Sequence, residues 1–125
     1  MGASVLIVDD SAFARSMLRQ IFEAAGHSVQ EAHDGYKALD SYVINRPDVV
    51  FLDLVMERIT GLEVLQKLRE MDNGAKVVVA TADVQTSTRD RAKAAGASGY
   101  ILKPYDKEQV LETTAKVLSE GDAWN

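Results

Sequence analysis

The sequence contains no cysteine. That excludes disulfides, thiolate metal sites and cysteine nucleophiles, and it agrees with a reducing compartment. No apolar run approaches the roughly 20 residues that a membrane helix requires. No block of Lys and Arg occurs, and the formal net charge is −5, so direct binding to a nucleic-acid polyanion is not expected. A glycine-rich phosphate loop and a Gly-x-Ser-x-Gly elbow are both missing, which leaves nucleotide hydrolysis and esterase chemistry without support. His27 and His33 lack the paired spacing of zinc ligands, so structural roles are expected for both.

What is present is one alternating pattern. Val5-Leu6-Ile7-Val8, Val49-Val50-Phe51-Leu52, Val77-Val78-Val79-Ala80 and Tyr100-Ile101-Leu102 are apolar almost throughout. Such runs suit strands covered on both faces, as in a parallel sheet. A fifth run, His27-Ser28-Val29-Gln30-Glu31, is more polar and suits a sheet edge. Between the runs lie helical stripes: Phe13, Met17, Ile21 and Phe22; Leu39, Tyr42 and Val43; Leu62, Leu65, Leu68 and Met71; Val110, Leu111, Val117 and Leu118. The segment 84–95 is alanine-rich and polar, the weakest of the five helices.

Punctuation agrees with this division. Gly26, Gly74 and Gly96 follow the expected helices. Pro47 precedes the third strand and Pro104 follows the fifth, where ladder donors are not required. Asp106 suits an N-cap for the last helix. Five β-α units in 125 residues imply a doubly wound α/β sandwich with right-handed crossovers. A single domain over 1–125 is expected, with its core at about 4–119 and a short polar tail in which Trp124 is exposed. The N-terminal residues lead straight into a strand without a basic, cleavable leader, so a cytoplasmic protein is expected.

In open parallel sheets, ligands bind beyond the carboxyl ends of the strands. Here the first strand ends in Asp9-Asp10, the third in Asp53, the fourth in Thr81 and the fifth in Lys103-Pro104. Taken singly, each has an ordinary reading. An Asp after a strand caps the next helix, a Thr suits a strand, and a Lys before Pro is solvated. Together they set three carboxylates, a hydroxyl and an ammonium on one rim. Clustered carboxylates either protonate or bind a cation, and an all-oxygen donor set selects a hard ion such as Mg2+. Asp53 is then a candidate nucleophile for phosphoryl transfer. Lys103 would face the transferred oxygens, a pair worth about 4 kcal/mol at 4 Å before desolvation, and Thr81 could donate its hydroxyl.

These residues carry a resemblance. Val5-Leu6-Ile7-Val8-Asp9-Asp10, Asp53-Leu54-Val55-Met56 with Gly61 eight residues after Asp53, Ala80-Thr81-Ala82 and Gly99-Tyr100-Ile101-Leu102-Lys103-Pro104 follow one another in order. The chain thereby resembles the receiver domains of two-component response regulators, the stand-alone chemotaxis (CheY-like) type above all. The resemblance implies a flavodoxin-like (βα)5 fold with strand order 2-1-3-4-5. It implies Mg2+ held by Asp9, Asp10, Asp53 and the Val55 backbone carbonyl. It further implies that Asp53 accepts a phosphoryl group from the phosphohistidine of a sensor histidine kinase or phosphotransfer protein. Thr81 and Tyr100 match the family's switch pair, and Lys103 its conserved lysine, followed by a cis peptide bond to Pro104. An unidentified downstream protein would read the fourth and fifth helices and the fifth strand, the same face through which a monomer could form a weak dimer. Neither a membrane nor an enzymatic turnover is implied. One position departs from the pattern: Glu57 stands where the family carries Pro after Met56. That substitution loosens the loop and adds a carboxylate near the rim.

Three other readings stay open on residues alone. The chain could be the receiver of a longer regulator with a C-terminal output domain. It could be an aspartyl-phosphate phosphatase, although Val55 occupies the place of the second Asp such enzymes use. It could be a flavodoxin-like FMN carrier, although Asp9-Asp10 would repel the cofactor's phosphate.

Overall fold

The computed structural model describes residues 2–124; Met1 and Asn125 lie outside the described residues. Five strands alternate with five helices: β1 Ser4–Val8, α1 Ala12–Ala24, β2 Ser28–Ala32, α2 Gly35–Asn45, β3 Val49–Asp53, α3 Gly61–Met71, β4 Val77–Thr81, α4 Thr86–Ala94, β5 Gly99–Leu102 and α5 Lys107–Glu120. All neighbours pair in parallel, in the order β2-β1-β3-β4-β5. This is the doubly wound sandwich that the pattern implied, in the flavodoxin-like strand order that the resemblance implied.

The apolar runs explain the layering. Side chains alternate between the faces of a strand, so each run feeds two cores. Val5, Ile7, Val49, Phe51, Val78 and Ile101 pack with Leu18 and Phe22 of α1 and Val110 and Val117 of α5. Leu6, Val8, Val50, Leu52, Val77 and Val79 pack with Ala38 and Tyr42 of α2, Val64, Leu65 and Leu68 of α3 and Ala92 of α4. β2 is an edge strand, and only Ala32 in it is fully buried. Among the described residues, no helix is long and apolar enough to cross a membrane.

Helix ends follow local chemistry. Ser11, Asp34 and Asp106 cap α1, α2 and α5 through their side chains. Thr60 and Glu63 form a reciprocal capping box on α3. α4 follows Gln85, which makes no side-chain cap, and buries only Thr88 and Ala92, in keeping with its weak pattern. Gly26 and Gly96 take φ of 91° and 100° after their helices. Gly74 does not adopt this conformation. α3 stops at Asp72, whose extended backbone turns the chain and whose Oδ1 accepts the Gly74 N–H at 2.9 Å.

Four expectations about exposure are corrected. Phe13 is 75% exposed, Val43 55% and Met71 42%. The buried stripe of α1 runs instead through Leu18 and Phe22, because Phe13 stands in the first turn, where it lines a shallow groove with Pro104 and Tyr105. Val43 and Met71 lie at or near helix C-termini, past the last buried residues, Tyr42 of α2 and Leu68 of α3. The fourth correction concerns Trp124, which is packed rather than exposed. Gly121, with φ of 92°, ends α5, and the following residues fold back over the start of β5. Ala123 N–H donates to Ser98 O at 2.8 Å, and the indole Nε1 donates to Ala97 O at 2.9 Å. Arg89 and Lys93 of α4 sit 5.1 and 5.3 Å from the ring. Indole combines a large apolar face with one donor, and both are used here. Trp124→Ala is expected to lower stability by about 1–2 kcal/mol, read as the urea midpoint. Trp124 is the only tryptophan, so the wild type should also show blue-shifted emission that moves red before the global transition. An unchanged midpoint would show the segment to be loose.

Candidate functional site

β1 and β3 are central neighbours, so their carboxyl ends open side by side. Asp9 N–H still bonds Ala32 O at 3.2 Å, which carries the β1 backbone one residue past the strand. Asp9 is 1% exposed and Asp53, the last residue of β3, 5%; Asp10 is exposed. One carboxylate oxygen from each of Asp9, Asp10 and Asp53 lies within 4.8 Å of the others. Among the described residues this is the only such group of metal-ligating side chains. Ser11, not Asp9 or Asp10, caps α1. Asp9 Oδ1 accepts the Ser11 N–H at 2.9 Å, so capping does not account for the pair.

Lys103 enters from the far side of the sheet. Its N–H donates to Thr81 O at 2.8 Å, which extends the β4-β5 ladder, and the bond to Pro104 is cis. Lys103 Nζ lies 3.1 Å from Asp9 Oδ2 and 3.4 Å from Asp53 Oδ1. Asp53 Oδ1 also accepts the Val55 N–H at 3.2 Å. Burial first, then the charge of Asp9, holds the Asp53 carboxyl above its ordinary range, with Lys103 opposing. Burial alone would lower the Lys103 ammonium, but Asp53 and Asp9 outweigh it and raise it. The rim therefore holds more negative charge than one lysine relieves, which favours a divalent cation. Three oxygen donors of this kind suit Mg2+.

Thr81 and Tyr100 meet at one residue, Asp83. Thr81 is buried, and its Oγ1 accepts the Asp83 N–H at 3.1 Å. Tyr100 donates its hydroxyl to Asp83 O at 2.8 Å. Thr88 of α4 donates to Asp83 Oδ2 at 2.5 Å. Asp83 thus ties the rim to β5 and α4, a link that the sequence did not disclose. Tyr105 was missed as well. It packs beside Lys103, 5.9 Å from Nζ to ring centre, and burial, with the charges of Asp9 and Asp53, pushes its phenol up.

The loop after Asp53 is shaped by two contacts. Gly61 donates its N–H to Leu54 O at 3.1 Å, and a Cβ there would lie 2.4 Å from Asp53 O. Arg58 takes a left-handed φ of 71°. Glu57 is exposed and outside the group of three carboxylates. Val55 is brought to the site by its amide, the residue as a whole being 72% exposed. His27 and His33 stand apart, as expected. His27 Nδ1 accepts the Ala3 N–H at 2.9 Å, with its ring edge-on to Phe22, and His33 faces Asp34.

Comparison with known proteins adds to this geometry. Residues 5–115 match the model of the response regulator receiver domain. The chain is 38% identical to the chemotaxis protein CheY of Halobacterium salinarum over 119 residues, 95% of this chain and 99% of that one. It is 40% identical over 111 residues to the response regulator MprA of Mycobacterium tuberculosis, covering 89% of this chain and 48% of that one. Among solved structures, the chemotaxis protein CheY4 of Vibrio cholerae superposes with a TM-score of 0.90 at 32% identity, over 94% of this chain and all of that one. The same fold thus makes up nearly the whole of one relative and about half of another.

Proposed function

The chain belongs to the response regulator receiver domain family, and on that premise we propose that Asp53 is its phosphoacceptor, working with Mg2+ held by Asp9, Asp10, Asp53 and the Val55 carbonyl. The observation that carries the reading is the meeting of three carboxylates with Lys103, which stands 94 residues from Asp9 in the chain. When bound, the cation neutralises phosphoryl oxygens and orients the in-line transfer.

The protein's own groups supply the rest. An Asp53 carboxylate oxygen attacks the phosphorus of a phosphohistidine, the P–N bond breaks, and the departing imidazole takes a proton. The product is an aspartyl phosphate. Lys103, already drawn toward Asp53, faces the new oxygens as a point charge. Thr81 accepts a hydrogen bond from Asp83, so its own O–H can turn to a phosphoryl oxygen. A shift of Thr81 pulls on Asp83, which holds Tyr100 and Thr88. The switch therefore reaches β5 and α4 through one residue. Receiver domains engage histidine kinases or phosphotransfer proteins and downstream targets. For this chain the donor is a phosphohistidine protein, and the output is a protein reading α4, β5 and α5. The family match favours this reading over an aspartyl-phosphate phosphatase, and Val55 offers no second carboxylate for turnover.

The test uses a small acyl-phosphate donor. With Mg2+ the intact mass should rise by one phosphoryl group, EDTA should prevent the gain, and borohydride trapping should place it on the Asp53 peptide. No gain, or a gain on another residue, sinks the assignment.

A further inference from the structure

The three carboxylates are not held alike. Asp9 receives the Ser11 N–H and the Lys103 ammonium, and Asp53 the Val55 N–H and the same ammonium. The Asp10 carboxylate takes no hydrogen bond or ion pair from any described residue. Its direction is set by the backbone alone, starting with the Asp9-Asp10 peptide.

That peptide is fastened from one side. Arg15 Nη1 donates to Asp9 O at 2.7 Å, while Arg15 Nε donates to Glu31 Oε1 at 3.0 Å. The Arg15 side chain is 17% exposed, so little water competes for it. Glu31, on β2, is itself anchored by Arg19 Nε at 2.6 Å. The hydrogen bond from Arg19, ahead of that from Arg15, keeps the Glu31 carboxyl below its ordinary range and thus anionic. We propose that Arg15, braced by Glu31, is the positioning residue that aims Asp10 at the cation. The inference rests on the cation reading given above.

Only the planar guanidinium fork can reach two acceptors in fixed directions at once, which a lysine cannot. Partners one shell out from a ligand set its orientation, and losing one costs at least about tenfold in affinity. A field effect predicts the opposite sign. Deleting a positive charge beside an acidic cluster should tighten cation binding, and deleting Glu31 should weaken it independently.

Mn2+, visible by electron paramagnetic resonance and displaced by Mg2+, reports the affinity directly. Wild type should bind it and Asp10→Asn should lose it. Arg15→Gln and Glu31→Gln should each bind about tenfold more weakly, and the double variant no worse than Arg15→Gln alone. Arg15→Lys should fall between wild type and Arg15→Gln. In metal-free protein, the Asp10 amide should exchange faster in Arg15→Gln. Should that variant not fold, Glu31→Gln carries the test. Unchanged or tighter binding by Arg15→Gln, or losses that multiply in the double variant, overturns the inference while leaving the cation site standing. No binding by wild type removes the cation reading and this inference with it.

Discussion

Asp53→Asn takes up no phosphoryl group from an acyl-phosphate donor, and in metal-free buffer at neutral pH it is the more stable protein. The first half follows from chemistry, since an amide oxygen is no nucleophile for phosphorus. The second follows from the buried charge. Burial and Asp9 raise the folded Asp53 carboxyl above 3.8. A group that holds its proton more tightly when folded adds stability below its unfolded pKa and loses it as pH rises through the folded one. At neutral pH the whole penalty is present, and the amide removes it. The gain over wild type should be about 1 kcal/mol or more, several °C in Tm at this size. It should shrink as pH falls through the acid range. Mg2+ should reverse the order, because it binds the folded wild type and stabilises it by mass action. Thermal melts across pH, with EDTA and with Mg2+, read all of this. A variant that melts lower than wild type in EDTA at pH 7 would mean that Lys103 already offsets the charge.

Gly61→Ala should be strongly damaging for a single added methyl. Its Cβ would meet Asp53 O at 2.4 Å, Leu54 Cα at 2.5 Å and Asp53 C at 3.1 Å. These are backbone atoms of the segment that carries the phosphoacceptor, so no side chain can rotate away. Either the first turn of α3 or the end of β3 must move. A loss of about 2–3 kcal/mol is expected, together with slower phosphoryl uptake, because Asp53 moves with its carbonyl. Gly74→Ala is the control. Its Cβ would meet only Asp72 Oδ1, at 3.3 Å, and it should change stability by no more than about 1 kcal/mol. Urea titrations of the two proteins would decide the matter. Equal midpoints would show that the close approach relaxes freely.

Much of this molecule is legible in its sequence, for physical reasons. Strands covered on both faces must be apolar at every position, so β1, β3 and β4 stand out. Because strand ends are where a parallel sheet opens, Asp9, Asp53 and Lys103 could be placed before any coordinates. The helix faces were harder to read. Phe13 and Val43 have the right spacing for a core and still face outward, since periodicity fixes a stripe but not which part of it the sheet reaches. Arg15 and Asp83 were legible only in three dimensions. The value of Arg15, on α1, lies in a Glu on β2, and that of Asp83 in bonds reaching residues up to 17 positions away. Trp124 was misread because a polar tail looks solvated until α4 is seen to offer two cations and Ala97, just before β5, a carbonyl.

The docking of Trp124 has a mechanical consequence. A pull on the carboxyl end would load the indole and its bond to Ala97 before it loaded α5, because the chain reverses at Gly121. That contact acts as a fuse. It gives way first and spares the helix behind it, and because one ring touches both α4 and the start of β5, tension applied there would be felt on the flank that carries Tyr100.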